Sequence, residues 1–220
     1  KKDCLDLPEK SYTVRQVALS KETWKLYCEL KKDCLLTLGN GEQRPEPNAA
    51  VRILRLAQLT SGHTSLPDID YEHSENPITR NGHYEDLSSE KLDWLVEALT
   101  EGELANERAV IIWMRWRRER ERLLKILLDL PFSGYIGQVY GGQSEKHRNG
   151  NLSEFSDRKE GRVLLLAQQH AGGFGLNLTV AHTAVYLSND YSFTVRAQSE
   201  DRIHRSGQYN PCLYLDIIAV

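Results

Sequence analysis

The chain has 220 residues, 40% hydrophobic and 27% charged, with a formal net charge of −3, so a sizeable core is possible and no global electrostatic footprint for nucleic acid exists. No apolar run nears the roughly 20 residues that span a bilayer, and Lys1–Lys10, KKDCLDLPEK, lacks an apolar signal core. The expectation is an intracellular protein with no membrane partner.

Cys4, Cys28, Cys34 and Cys212 form no CxxC pair and have no histidine at zinc-ligand spacing, so neither a disulfide framework nor structural zinc is expected. His63, His73 and His83 recur every ten residues beside Asp68 and Asp70, but no element would converge them, and no metal site is assigned.

Residues 12–19, YTVRQVAL, read as a strand, after which Ser20 caps a helix carrying Trp24, Tyr27, Cys34, Leu35 and Leu38 at helical period. Gly39–Pro47 ends it, and a second helix runs from Asn48 to about Thr60. Residues 61–86 are polar and rich in Gly, Pro, His and Asn, which predicts a long loop, disordered by default. Ser88 or Ser89 then caps a helix bearing Leu92, Leu95, Val96 and Leu99.

Beyond it, strand-like runs at 109–114, 135–140, 163–167, 183–187 and 213–218 alternate with helical patterns at 116–130, 144–155 and 194–206. Such alternation predicts an α/β fold with a mainly parallel sheet covered by helices. The division expected is 1–86 as linker, helical flank and polar loop, and 87–220 as the α/β lobe.

Three segments carry candidate chemistry. The first, QSEDRIHRSGQ at 198–208, sets Gln198, Arg202 and Arg205 at i, i+4 and i+7, one stripe of a helix. Two permanently charged guanidiniums on one rigid face suit a multiply charged anion such as a nucleoside triphosphate, although an Asp201–Arg205 surface ion pair would use the same residues. The second, AGGFGLNLT, follows a strand and frees the backbone at Gly172, Gly173 and Gly175 for a close approach, or for a tight strand-to-helix connection. The third is a basic run at Arg115, Arg117, Arg118, Arg120, Arg122 and Lys125, of which Arg115, Arg118, Arg122 and Lys125 lie nearly opposite a face of Trp116, Leu123, Leu127 and Leu130, either a phosphate-gripping face or an ordinary solvated one.

The spacing QxxxRxxRxGQ resembles motif VI of superfamily-two helicases, and its closing HRSGQ resembles the Swi/Snf-type DNA-dependent ATPases. AGGFGLNLT is similar to their motif V and precedes motif VI by some 25 residues with one strand between, as in that family. AVIIWM with WRRERERLLKILLDL resembles motif IV, ILRLAQLTSG resembles the segment opening the second lobe, and KKDCLDLPEK resembles the interlobe linker. Two departures stand out. Ala167, Gln168, Gln169 and His170 replace the usual Ser or Thr before the glycines, and NDYSF at 189–193 replaces the WNP signature, a variant closer to phage and bacterial members.

The resemblance implies the C-terminal RecA-like lobe of a DNA-dependent ATPase that translocates on or remodels duplex DNA. It assigns Arg202 and Arg205 as arginine fingers, Gln198, Gln208, Gly173 and Gly175 to ATP, and Arg148, Gly142, Asn177, Arg115 and Arg118 to the DNA backbone. A strand-separating helicase lobe and a non-catalytic DNA- or protein-binding scaffold are the alternatives. The sequence contains no GxxxxGK[ST] P-loop and no strand ending in a DExH-like pair, so ATP hydrolysis would need an N-terminal RecA-like lobe of the same polypeptide to hold the phosphates and Mg2+, and this lobe alone would be inactive. The location implied is cytoplasmic, or nuclear if the source is eukaryotic.

Overall fold

A computed structural model describes residues 7–33, 35–37, 43–45, 49–65, 84–171 and 176–220. The chain forms two compact units, one comprising residues up to Val17 with Lys91–Ile218, the other Ala18–Glu90 with the last two residues. The elements in order are β1 (Lys10–Val17), α1 (Lys21–Asp33), β2 (Leu35–Thr37), β3 (Gln43–Pro45), α2 (Ala49–Leu59), β4 (His63–Ser65) and β5 (Tyr84–Asp86). They continue with α3 (Glu90–Thr100), β6 (Ala109–Met114), α4 (Arg117–Asp129), β7 (Gly134–Val139), α5 (Glu145–Asp157), β8 (Arg162–Gln168), β9 (Thr183–Tyr186), α6 (Phe193–Glu200) and β10 (Cys212–Ala219).

The larger unit is a six-stranded sheet ordered β1-β10-β9-β6-β8-β7. β10 and β9, β9 and β6, β6 and β8, and β8 and β7 all pair in parallel. Strands covered on both faces need apolar residues in both directions, which is why AVIIWM is buried at every position. Alternate residues then feed two cores. Val110, Ile112, Leu164 and Leu166 pack with Leu95 and Leu99 of α3 and Leu123 and Leu127 of α4, whereas Ile111, Trp113, Val163 and Leu165 pack with Phe155 of α5 and with Leu178, Ala181 and Ile203. Each such leucine contributes about 1.5–3 kcal/mol by leaving water.

The expected strands and the helices at 117–129 and 145–157 match to within about two residues. Three features differ. β1, assigned from sequence to the flank, is a strand of the main sheet. The helix expected through Leu38 stops at Asp33 and gives way to a short antiparallel hairpin, Leu36 opposite Arg44, because a three-residue apolar run such as LLT fits helix or strand equally by pattern. Third, the helix expected to reach residue 206 ends at Glu200.

In the smaller unit, Ser20 caps α1 as expected, its Oγ accepting the Thr23 N–H at 3.1 Å. Leu30 and Leu59 are fully buried, with Leu26, Tyr27, Leu56 and Leu87 packed around them, while Trp24 stays half exposed, stacked on Tyr27. The two ends of the polar loop pair as β4 and β5, Thr64 opposite Glu85. The Glu90 carboxylate accepts the Ser20 N–H at 3.0 Å and the Thr23 hydroxyl at 2.9 Å. Residues 66–83, with His73, His83, Asp68 and Asp70, lie outside the described residues.

Candidate functional site

Parallel strands place their C-terminal ends, and the loops that follow them, on one edge of the sheet, where α/β proteins bind ligands. Here that edge gathers Arg115 after β6, Gly141 and Gly142 after β7, Gln168–Ala171 at the end of β8, and Asn189–Tyr191 after β9. A cleft of about 230 Å3 is lined by Arg115, Gly141, Gln168, Gln169, His170 and Ala171.

The QSEDRIHRSGQ segment is a capped helix followed by a turn. Ser192 caps α6, and past Asp201 the N–H groups of Arg202 and Ile203 bond three residues back, to Ser199 and Glu200, tightening the chain out of the α-helix. Gly207, at φ +98°, reverses the chain as only glycine does without strain. The single helical stripe through Gln198, Arg202 and Arg205 is therefore corrected: Gln198 is exposed on the helix, and both arginines ride on the turn.

That turn is bound to the chain that follows the glycine loop. The Leu178 N–H donates to Arg202 O at 3.1 Å, and Arg205 Nη1 donates to Leu176 O at 3.2 Å. Gln208 is buried. Its Nε2 donates to Thr179 O, Ala181 O and Ile203 O at 3.2, 2.8 and 3.2 Å, and its Oε1 accepts the N–H groups of Tyr209 and Asn210 at 3.1 and 3.0 Å. With its amide bonded on both sides, Gln208, expected to contact ATP, fastens the turn. Asn177, exposed, accepts the Thr179 N–H at 3.4 Å in a local turn. Gly172, Gly173 and Gly175 lie outside the described residues.

Arg202 is half-buried, and burial followed by the charge of Arg205 pushes its guanidinium below the ordinary value, with Asp201 opposing. The Arg205 charge and the Asp201 carboxylate thus act on Arg202 in opposite senses. Two like charges so placed are relieved by an incoming anion.

The basic run around α4 is arranged differently. Arg115 precedes the helix. Its guanidinium lies 4.6 Å from the Trp116 ring centre and 4.4 Å from that of Tyr191, with Nε 3.8 Å from Asp190. Arg120 is buried over the Tyr140 ring and donates to Gln138. Arg117 and Arg118 share Glu121, at 2.7 and 4.0 Å. Arg115 and Arg118, expected to grip phosphates, thus stand beside intramolecular acids and rings, with Arg115 Nη1 buried and without a hydrogen-bond partner among the described residues.

Arg148 sits in the first turns of α5, half-buried, its Nε buried with no partner among the described residues. Ser144 caps this helix, and before it come Gly141 and Gly142, the latter at φ +83°, with open space where a side chain would stand.

Sequence reasoning missed the three polar residues that replace Ser or Thr before the glycines. Gln168 bridges two loops, accepting the Gly141 N–H at 3.1 Å and donating to Arg115 O at 3.5 Å. Gln169 accepts the Asp190 N–H at 2.8 Å, and the His170 ring meets the Asp190 carboxylate at 2.9 Å. Burial would raise that carboxylate, but the His170 hydrogen bond, the Ser192 N–H and Arg115 hold it below its usual range. The replacement of WNP by NDYSF was the available signal, since it supplies Asp190.

The helicase conserved C-terminal domain profile matches residues 90–207, from the start of α3 through the arginine turn. The chain belongs to this family. Over 214 residues it is 28% identical to the ATP-dependent helicase MG018 of Mycoplasma genitalium, covering 97% of this chain and 19% of that protein; it spans a fifth or less of the first curated relatives it matches. In fold it superposes on the C-terminal part of the Fun30 ATPase domain with a TM-score of 0.68 at 17% identity, covering 97% of this chain and 86% of the other. The Sulfolobus solfataricus SWI2/SNF2 ATPase core in complex with dsDNA gives 0.63 at 20% identity, covering 98% and 42%. The RecA-like, Swi/Snf-type C-terminal lobe expected from the motifs is thus the family and fold found.

Proposed function

We propose that this lobe is the second motor half of an ATP-dependent translocase on duplex DNA, completing a nucleotide site whose phosphate cradle belongs to a first RecA-like lobe of the same polypeptide. The observation that carries the reading is the arginine turn: two guanidiniums whose charges oppose one another, fixed to the glycine-loop exit by Gln208, Arg205 and the Leu178 N–H.

These residues fit the phosphate end of ATP. The magnesium ion that accompanies ATP is assigned to the first lobe, with the phosphate cradle. When bound, ATP supplies the phosphoryl group that passes to water. Arg202 and Arg205 orient the γ-phosphate oxygens and offset the charge that builds on them in the transition state, the part of an arginine finger. Gln198, exposed on the helix one turn before, contributes a neutral contact.

DNA-backbone binding falls to Arg148, the open turn at Gly142 and exposed Asn177. Glycine backbone and arginine read phosphate position and charge, so binding is insensitive to base sequence. ATP turnover by the purified 220-residue chain and by the intact enzyme, with and without duplex, tests the split site. The short chain should show none above background; DNA-stimulated turnover by it at about 1 per second or more would overturn the proposal.

A further inference from the structure

The arginine turn is held from a second side by residues remote in sequence. Glu200 is the last residue of α6 and is 8% exposed. Its Oε2 accepts the Tyr12 hydroxyl at 2.9 Å and Lys10 Nζ at 3.2 Å, and its Oε1 accepts Arg196 Nε at 2.9 Å. Its backbone carbonyl accepts the N–H groups of Ile203 and His204 at 3.2 and 3.1 Å, along with the Tyr214 hydroxyl at 3.1 Å. The peptide that starts the turn and the carboxylate that binds β1 therefore belong to one residue.

The segment leading into β1 touches the turn again: His204 Nε2 lies 2.8 Å from Pro8 O. The same stretch is registered on β10, with the Cys212 N–H donating to Glu9 O at 2.8 Å and the Ser11 hydroxyl to Cys212 O at 3.3 Å. Tyr12 stacks on Tyr214 at 5.2 Å. Burial, with the Glu200 hydrogen bond second, pushes the Tyr12 phenol up to about 12, so its proton stays available to Glu200 at any ordinary pH.

We infer that Glu200 is a positioning residue for Arg202 and Arg205, and that through it the segment Pro8–Tyr12 sets where those arginines point. This rests on the reading of the turn as the nucleotide-facing element. A carboxylate with three donors, sited one residue before the turn, translates a shift of β1 into a shift of both guanidiniums. Loss of one charge-assisted hydrogen bond here lets the turn relax, and an arginine displaced by a fraction of an ångström loses much of its effect on a transition state.

The test uses the intact enzyme with saturating duplex. Glu200→Gln should lower kcat about tenfold and Tyr12→Phe about threefold, the size of one weakened charged hydrogen bond, with KM for ATP and duplex affinity little changed. Combined with the double variant Arg202→Ala/Arg205→Ala, neither should lower kcat further, because both act through the arginines. Wild-type kcat in both single variants, or losses that multiply with that of the double-arginine variant, would overturn the inference and reduce Glu200 to a fold contact. If Glu200→Gln does not fold, Tyr12→Phe decides alone, since it removes one hydroxyl. Wild-type kcat for Arg205→Ala itself would instead remove the function reading and this inference with it; a collapse there beside unaffected Glu200 and Tyr12 variants would remove the inference only.

Discussion

Two arginine-rich segments of this lobe look alike in sequence and differ in what their charges meet. Around α4, Glu121 sits within 4.0 Å of Arg117, Arg118 and Arg120, and Asp190 with two aromatic rings holds Arg115. In the turn after α6, Arg202 and Arg205 crowd each other and are tied through backbone and carbonyls. Charge count alone favours the α4 segment, where six basic residues stand against Glu119 and Glu121, over the turn, where Arg202 and Arg205 stand beside Glu200 and Asp201. The partners differ in kind: carboxylates and aromatic rings around α4, backbone carbonyls and a neighbouring guanidinium at the turn.

The comparison breaks most readily at the turn. In the intact enzyme Arg202→Ala should lower kcat by about 10³ or more, the range of arginine fingers, with duplex affinity unchanged; steady-state turnover beside a duplex titration checks both. Wild-type turnover would place the turn in the same class as α4.

Next comes Gln208, which holds the turn in place. Gln208→Ala leaves three carbonyls and two N–H groups without their partner and should cost roughly 2–4 kcal/mol in denaturant unfolding. A loss below about 0.5 kcal/mol would mean that the turn is fixed by other contacts.

Smaller still is an acid-side effect in the other unit. Burial alone would raise Glu90, but hydrogen bonds from Ser88, the Ser20 and Glu90 N–H groups and Thr23 hold it down to about 2. A depressed folded-state pKa stabilises above the unfolded value of about 4.5 and loses that contribution as pH falls toward 2. After discounting for solvent screening the contribution is about 1–2 kcal/mol. Glu90→Gln should flatten stability between pH 5 and 2 by about that amount, and an unchanged profile would remove the carboxylate from the account.

The smallest effects separate the two basic surfaces on DNA. Arg148→Ala should flatten the log K against log salt slope by roughly 0.9, alike on unrelated duplexes. Arg118→Ala, partnered by Glu121, should leave the slope unchanged and stability within about 0.5 kcal/mol. Equal slopes for both variants would erase the distinction drawn between the surfaces.

How far the sequence foretold this structure depends on how local each determinant is. AVIIWM and VLLLA read as central strands because burial on both faces demands continuous apolar runs, and Ser20, Ser144 and Ser192 start helices through bonds spanning three residues. The end of α6 was not legible, because bonds from Gln208 to Thr179 and Ala181 and from Tyr12 and Lys10 to Glu200 shape the turn, and no helical period encodes them. The same holds at the strand edge. Arg115 looked like part of a basic stripe until Trp116, Tyr191 and Asp190 closed around it. Candidate residues were therefore picked by type and spacing, while their surroundings are set by contacts distant in sequence.

The central claim is that Arg202 and Arg205 act on charge present only in the transition state. Its most direct test is the affinity of the intact enzyme, bound to duplex, for ADP with aluminium fluoride and for ADP alone, in wild type and in Arg205→Ala. Binding of the transition-state analogue should weaken about as much as kcat falls, by 10² or more on the order-of-magnitude scale of such residues, while ADP affinity stays the same. Equal losses for both ligands, or no loss for either, would contradict it.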